Sequence, residues 1–325
     1  MPPARRTLLV TERTSQARNI SPHWKEQFPE DDVIHFHTSP IGSFRFHLPR
    51  NLPISNVPIV MDPVLERRPP GDTAPAGNSS FHSDFGALAR DADHIVCATD
   101  FDPAGCRNFL DLMGQSHCER TLSDISWLAL KAEDPESVRD GIQKGLRADH
   151  PDFARMAAFG QARQYFDYLY LLNGLPVFGI ALRASGIDAT GKLSFLSKYT
   201  LQLLLLLSSI EPGPLGWNEI MRLMVKGPGS EKRSPMGSAL SRNAIVSWLW
   251  QSGCLARHDH GKAERYTLSD RGRRLASLMH KDCHDPHLSA RLKTWGETWP
   301  TSKPAIDRYI RTFFGKEKRY LLAKV

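Results

Sequence analysis

Residues 94–105, HIVCATDFDPAG, decide how this chain folds. The apolar, β-prone run 95–98 reads as a buried strand that delivers two carboxylates, Asp100 and Asp102, just past its end. Pro103 and Gly105 then bend the chain into a predicted helix over residues 106–113. Positions i and i+2 of an extended chain share a face, so the two carboxylates are placed to share one cation. Oxygen ligands at a strand end, with room for water and phosphate, suit a hard divalent ion such as Mg2+. The same residues also make a good helix start, with Asp102 as cap and Pro103 at the first position. The DxD spacing alone leaves both readings open.

The N-terminal region supplies a possible third member of this group. Residues 7–10 form a second β-prone run, ending in Thr11-Glu12 before an amphipathic segment over 15–24. A strand, a Glu, a helix and, much later, a strand followed by DxD resembles the Toprim module of type IA topoisomerases, primases and related nucleases. The resemblance implies an α/β domain with a parallel sheet flanked by helices. It also implies a proton-handling, catalytic role for Glu12 and magnesium held by Asp100 and Asp102. The loop departs from the topoisomerases, which carry Arg, Glu, Gly and Glu where this chain has Pro103, Ala104, Gly105 and Cys106. The third acidic position is therefore missing.

Between these strands, residues 33–46 mix β-branched and aromatic side chains around Pro40-Ile41-Gly42, which predicts a hairpin or short strand pair. His35, His37 and His47 lie there at a spacing that matches no strong metal-ligand pattern. Residues 51–83 are rich in Pro, Gly and Ser and read as loop. A strand is expected over 125–130 and a helix over 135–146. From residue 152 the pattern is helical, with one helix over 153–172 stopped by Asn173-Gly174 and a leucine-rich helix over 191–209.

The next zone runs helix (217–225), basic glycine-bearing loop (226–235), helix (238–251), β-ribbon (255–268, turning at Asp259-His260-Gly261) and helix (269–280). That order predicts a winged helix-turn-helix, with Arg242 and Asn243 at the start of the recognition helix and Arg265 on the wing. Four segments extend the resemblance to type IA topoisomerases. They are QARQYFDYLYLLNG (161–174), GKLSFLSKYTLQLLLLL (191–207), PMGSALSRNAIVSWLWQSGCL (235–255) and RYTLSDRGRRL (265–275). The third is similar to the family's Gly-Thr-Pro-Ala-Thr-Arg core, which implies a DNA-phosphate contact for Arg242. The family's nucleophilic tyrosine lies on a separate gate domain, close to an Arg-Thr-Asp run that this chain lacks. The span 199–217 is too short to hold such a gate. Tyr165, Tyr168 and Tyr170 read as helix packing and Tyr266 as part of the wing, which leaves Tyr199 as the candidate nucleophile.

The 325 residues, 41% apolar and 24% charged, are enough for two domains and a sizeable core. The expected division is a Toprim-like domain (1–150), connecting helices (151–212), a winged-helix domain (213–285) and a basic aromatic tail (286–325). The net charge is +7, and residues 291–325 hold nine Lys or Arg against three Asp or Glu. A basic tail points to an anionic polymer as partner, with Lys316, Lys318 and Arg319 as DNA contacts. Trp295, Trp299, Tyr309, Phe313, Phe314 and Tyr320 are expected to stack on unpaired bases, at about 1–3 kcal/mol each.

The five cysteines form no CxxC pair, so they are expected as free thiols in a reducing compartment. MPPARRTLLV lacks a signal-peptide core, and the apolar run 201–210 falls short of the ~20 residues of a membrane span. A soluble, cytoplasmic protein is expected. The functional expectation is a DNA-binding, magnesium-binding protein acting in DNA topology or processing, with single-stranded or distorted DNA as a partner and a second protein supplying the gate. The alternatives are an active topoisomerase or Toprim nuclease that breaks one strand, and a non-enzymatic winged-helix DNA binder.

Overall fold

The computed structural model describes residues 5–38, 42–49, 52–68, 84–211, 213–227, 235–260 and 263–325. They gather into two compact units, one of Met1–His47 with Val64–Ala162, the other of Leu48–Pro63 with Arg163–Val325.

The first unit is an α/β layer structure built on strand β1 (Arg6–Thr11), in which Leu8, Leu9 and Val10 are all fully buried. A strand apolar on both faces needs cover on both faces, which a parallel sheet with helices on either side provides. Helix α1 (Thr14–Gln27) carries the chain back, so strand β2 (Asp32–His37) pairs with β1 in parallel, Thr7 opposite Val33. Strand β5 (His94–Cys97) takes the other side of β1, and β6 (Ile125–Trp127) adds to β5, giving the parallel order β2-β1-β5-β6. One face packs Leu9, Val96 and Leu128 against Ile20 and Trp24 of α1 and Val138 and Ile142 of helix α4 (Pro135–Lys144). The other packs Leu8, Val10, Ile95 and Trp127 beneath helix α2 (Phe85–Asp91), helix α3 (Pro103–Gln115) and Phe153.

The hairpin expected over residues 33–46 does not form. Its first half is β2 of the parallel sheet, and its second half, β3 (Phe44–Phe46), pairs antiparallel with β4 (Leu65–Arg67). The α1 crossover brings β2 back to the edge of β1, where Phe36 is buried at 2% exposure. The expected turn residues Pro40 and Ile41, and all of the expected loop beyond residue 68, lie outside the described residues.

Helix α5 (Pro151–Ala184) overrides the stop expected at Asn173-Gly174 and runs on to Ala184, 34 residues in all. Asn173 is fully buried. Its Nδ2 donates to the carbonyls of Leu169 and Ile59, both 2.8 Å, and its Oδ1 accepts from the Ile59 N–H at 2.6 Å. The side chain that would ordinarily end a helix is thus consumed by a neighbouring segment, while Gly174 lets Phe178 and Phe195 close in. By length and apolarity α5 alone among the described helices meets the criteria for a membrane span, and 72% of its most apolar window is buried inside the protein.

The second unit is mainly helical. Helix α6 (Lys198–Ile210) starts later than the expected residue 191, because Gly191 sits at φ +51° in a short turn and Ser197 caps the helix by accepting from Thr200 N–H. Then follow α7 (Trp217–Lys226), α8 (Ala239–Gln251), the hairpin β7 (Leu255–His260) and β8 (Ala263–Leu268), and α9 (Asp270–Ser277). An isolated bridge from Leu215 to Tyr266 adds a third rung beside the hairpin.

The segment expected as a tail with open aromatic faces is instead two helices, α10 (Leu288–Glu297) and α11 (Lys303–Leu322). Trp295, Phe313 and Phe314 are buried, and Tyr309 packs edge-on against Trp295. These buried aromatics at helical spacing stabilise the unit as core, while Trp299, Tyr309 and Tyr320 are half-buried.

Candidate acidic site

Parallel α/β sheets hold ligands at the carboxyl ends of their strands, where the strand order reverses. Here the reversal lies at β1: the chain winds to one side of it to form β2 and then crosses to the other side to form β5 and β6. Glu12 follows β1, and Asp100 and Asp102 follow β5, so the reversal brings together carboxylates 88 positions apart in the chain. The bend after β5 is tight. Asp102 N–H donates to Asp100 O at 2.7 Å, and a Cβ on Gly105 would lie 2.2 Å from that same oxygen, so only glycine fits. Asp102 Oδ1 caps α3 by accepting from Gly105 N–H at 2.8 Å, with Pro103 at the first position. The helix-start reading of this motif therefore holds, and the cap leaves the exposed Asp102 beside Glu12.

Glu12 is only 4% exposed, and its Oε1 has no hydrogen-bond partner. Burial, followed by the charges of Asp100 and Asp102, pushes its carboxyl up to about 8. Asp100 Oδ1 accepts from Arg13 Nη2 and from Gln16 Nε2, both at 2.9 Å. Arg13 Nη2 also donates to Glu133 Oε1 at 2.8 Å, and Glu133 Oε2 accepts from Asn19 Nδ2 at 3.1 Å. Gln16 reaches back to accept from Glu12 N–H at 2.9 Å. A cavity of about 600 Å³ opens over Asp100 and Asp102, with Arg13, Lys131 and Glu133 in its wall.

Four carboxyls thus stand with two cations, and the most buried one keeps an orphaned oxygen. That donor set fits a divalent cation, which would balance the remaining charge. Among the described residues, however, no three His, Cys, Asp or Glu side chains are arranged as a metal-ligand set. Sequence reasoning missed Arg13, Gln16 and Glu133. The first two were legible as positions one and four after Glu12, on the start of α1; Glu133 sits in a loop after β6 and carries no signal.

The residues predicted to contact DNA lie in the second unit, and most already have local partners. Arg242 donates to the carbonyls of Met236 (3.3 Å) and Gly237 (3.1 Å). Asn243 accepts from Trp217 Nε1 at 3.1 Å, and Arg265 pairs with Glu219 at 2.5 Å. Lys316 pairs with Asp282 at 2.6 Å, and Lys318 donates to the carbonyls of Ser55 and Val57, both at 2.8 Å. Arg319 is exposed, and so are Arg308 and Arg311 on the same face of α11. The latter two went unread because their alignment appears only once the tail is a helix. Tyr199 is half-buried, with Lys198 Nζ 5.1 Å from its ring centre, and Lys198 also pairs with Asp167. The chain matches no protein-family model and no curated protein.

Proposed function

We propose that this chain is a DNA-binding protein of the type IA topoisomerase kind, with a Toprim-like magnesium site, acting in DNA topology or processing. The observation that carries the reading is the burial of Glu12 beside Asp100 and Asp102 at the strand-order reversal of a parallel sheet. Asp100 and Asp102 would hold the ion, which when bound supplies charge neutralisation on a phosphodiester. Glu12, raised to about 8, keeps a proton at neutral pH and is suited to donate it to a leaving oxygen.

The helices α7 and α8 with the β7–β8 hairpin are read as a winged helix-turn-helix. The exposed arginines 308, 311 and 319 form the backbone-tracking stripe in place of the paired cations. The test is a supercoiled-plasmid assay with and without magnesium. Relaxation or nicking by the wild type that disappears in Asp100→Ala supports the reading. Loss in Tyr199→Phe would favour a topoisomerase over a nuclease. Intact plasmid under all conditions, with binding to DNA retained, would leave a non-enzymatic binder.

A further inference from the structure

The acidic site carries its own cation. Arg13 leaves the end of β1 in extended conformation, as the residue before α1, and one nitrogen, Nη2, reaches both Asp100 (2.9 Å) and Glu133 (2.8 Å). Glu133 has a second partner on its other oxygen, Asn19 Nδ2 at 3.1 Å. Asp100 already accepts twice on Oδ1, from Arg13 and Gln16. A divalent ion at Asp100 therefore meets a guanidinium within hydrogen-bond distance of the same carboxylate, and the two positive charges repel.

We infer that Arg13 is a resident gate on the cation site: it occupies Asp100 until a divalent ion takes that carboxylate, and Glu133 is the dock that receives the displaced guanidinium. This rests on the divalent-cation reading given above. It assigns Arg13 and Glu133 as positioning residues that set the affinity without touching the ion. The arrangement explains why four carboxyls assemble without forming a ligand set.

The test is a titration of the full chain with Mn2+, with free ion followed by electron paramagnetic resonance. Removing the competitor in Arg13→Gln tightens Mn2+ binding about fivefold, the size of one half-exposed ion pair. Removing the dock in Glu133→Gln leaves Arg13 wholly on Asp100 and weakens binding by a similar factor. The double variant binds like Arg13→Gln, because a dock has no effect without the gate. Arg13→Lys, which keeps the charge but loses the planar fork, shifts binding in the same direction by a smaller factor and guards against a folding defect. Unchanged or weaker binding in both Arg13 variants overturns the gate. A Glu133→Gln loss that persists in the double variant makes Glu133 a direct ligand and also overturns it. Mn2+ binding that is absent from the wild type, or indifferent to Asp100→Asn, instead sinks the cation reading itself.

Discussion

The two units treat charge in opposite ways. At the sheet end of the first, Glu12 is buried beside Asp100 and Asp102 with an orphaned oxygen, and Arg13 and Lys131 stand in the cavity wall with Asp100, Asp102 and Glu133. In the second, nearly every predicted DNA-contacting cation is matched to a carboxylate or carbonyl of its own unit. Even the buried acid Glu317 has the His280 N–H at 3.0 Å and the Cys283 thiol on Oε2. Burial pushes Glu317 up to about 7 and the Cys283 thiol up as well; Glu317 Oε1, like that of Glu12, has no partner, but no neighbouring carboxylate adds to the shift as Asp100 and Asp102 do at Glu12. A buried acid crowded by like charges costs stability and persists where something else compensates, whereas burial alone is explained by the fold. That contrast, like charges crowded around a buried acid in one unit and burial alone in the other, is what the proposed function rests on.

The sharpest way to break the comparison is Glu12→Gln. Glu12 is raised from its ordinary 4.5 to about 8, so between those values the folded chain holds a proton that the unfolded chain has released. Its contribution to stability is complete below pH 4.5 and is lost as the pH rises through 8. In chelator, the variant should match the wild type near pH 4 and exceed it by on the order of 5 kcal/mol at pH 9, read by urea unfolding. Parallel pH profiles for the two proteins would refute the buried-charge account.

In the second unit the loss should come from removing a satisfied group. Asn173→Ala strands the Ile59 N–H and C=O and should destabilise by about 3 kcal/mol at any pH between 5 and 9. Gly105→Ala forces a Cβ against Asp100 O and should cost about 2 kcal/mol. It should also weaken Mn2+ binding, because the clash moves the carboxylate's own backbone. If Mn2+ affinity survives that substitution, Asp100 does not hold the ion.

The smallest stability effects separate paired from unpaired arginines. Arg242→Gln should lower stability by about 1 kcal/mol and leave the salt dependence of DNA binding unchanged, since its donors are already spent on Met236 and Gly237. The triple change Arg308→Gln, Arg311→Gln, Arg319→Gln should leave stability within about 0.5 kcal/mol. It should reduce the slope of log affinity against log salt by roughly 2 to 3, measured by fluorescence anisotropy. A reversed pattern would return the nucleic-acid surface to α8.

The α/β character, the strand that ends at Glu12 and the tight DxD turn were legible because they rest on local periodicity and on residues such as Pro103 and Gly105 with few conformational options. Helices α1, α3 and α4 followed from the same signals, while α2 (Phe85–Asp91) was not read. The pairing of β2 with β1, the run of α5 through Asn173 and the burial of Trp295, Phe313 and Phe314 were not legible. Each depends on a distant partner that supplies hydrogen bonds or apolar cover, and local propensity carries no record of it. The sequence by itself determined which acids the chain owns and that two of them end one strand. Only the tertiary structure decided that Glu12 joins them, that Arg13 bridges Asp100 to Glu133, and that the basic helix α11 spends its three lysines, Lys303, Lys316 and Lys318, inside its own unit. Charge balance is a property of three-dimensional neighbours, set by burial and distance rather than by order along the chain.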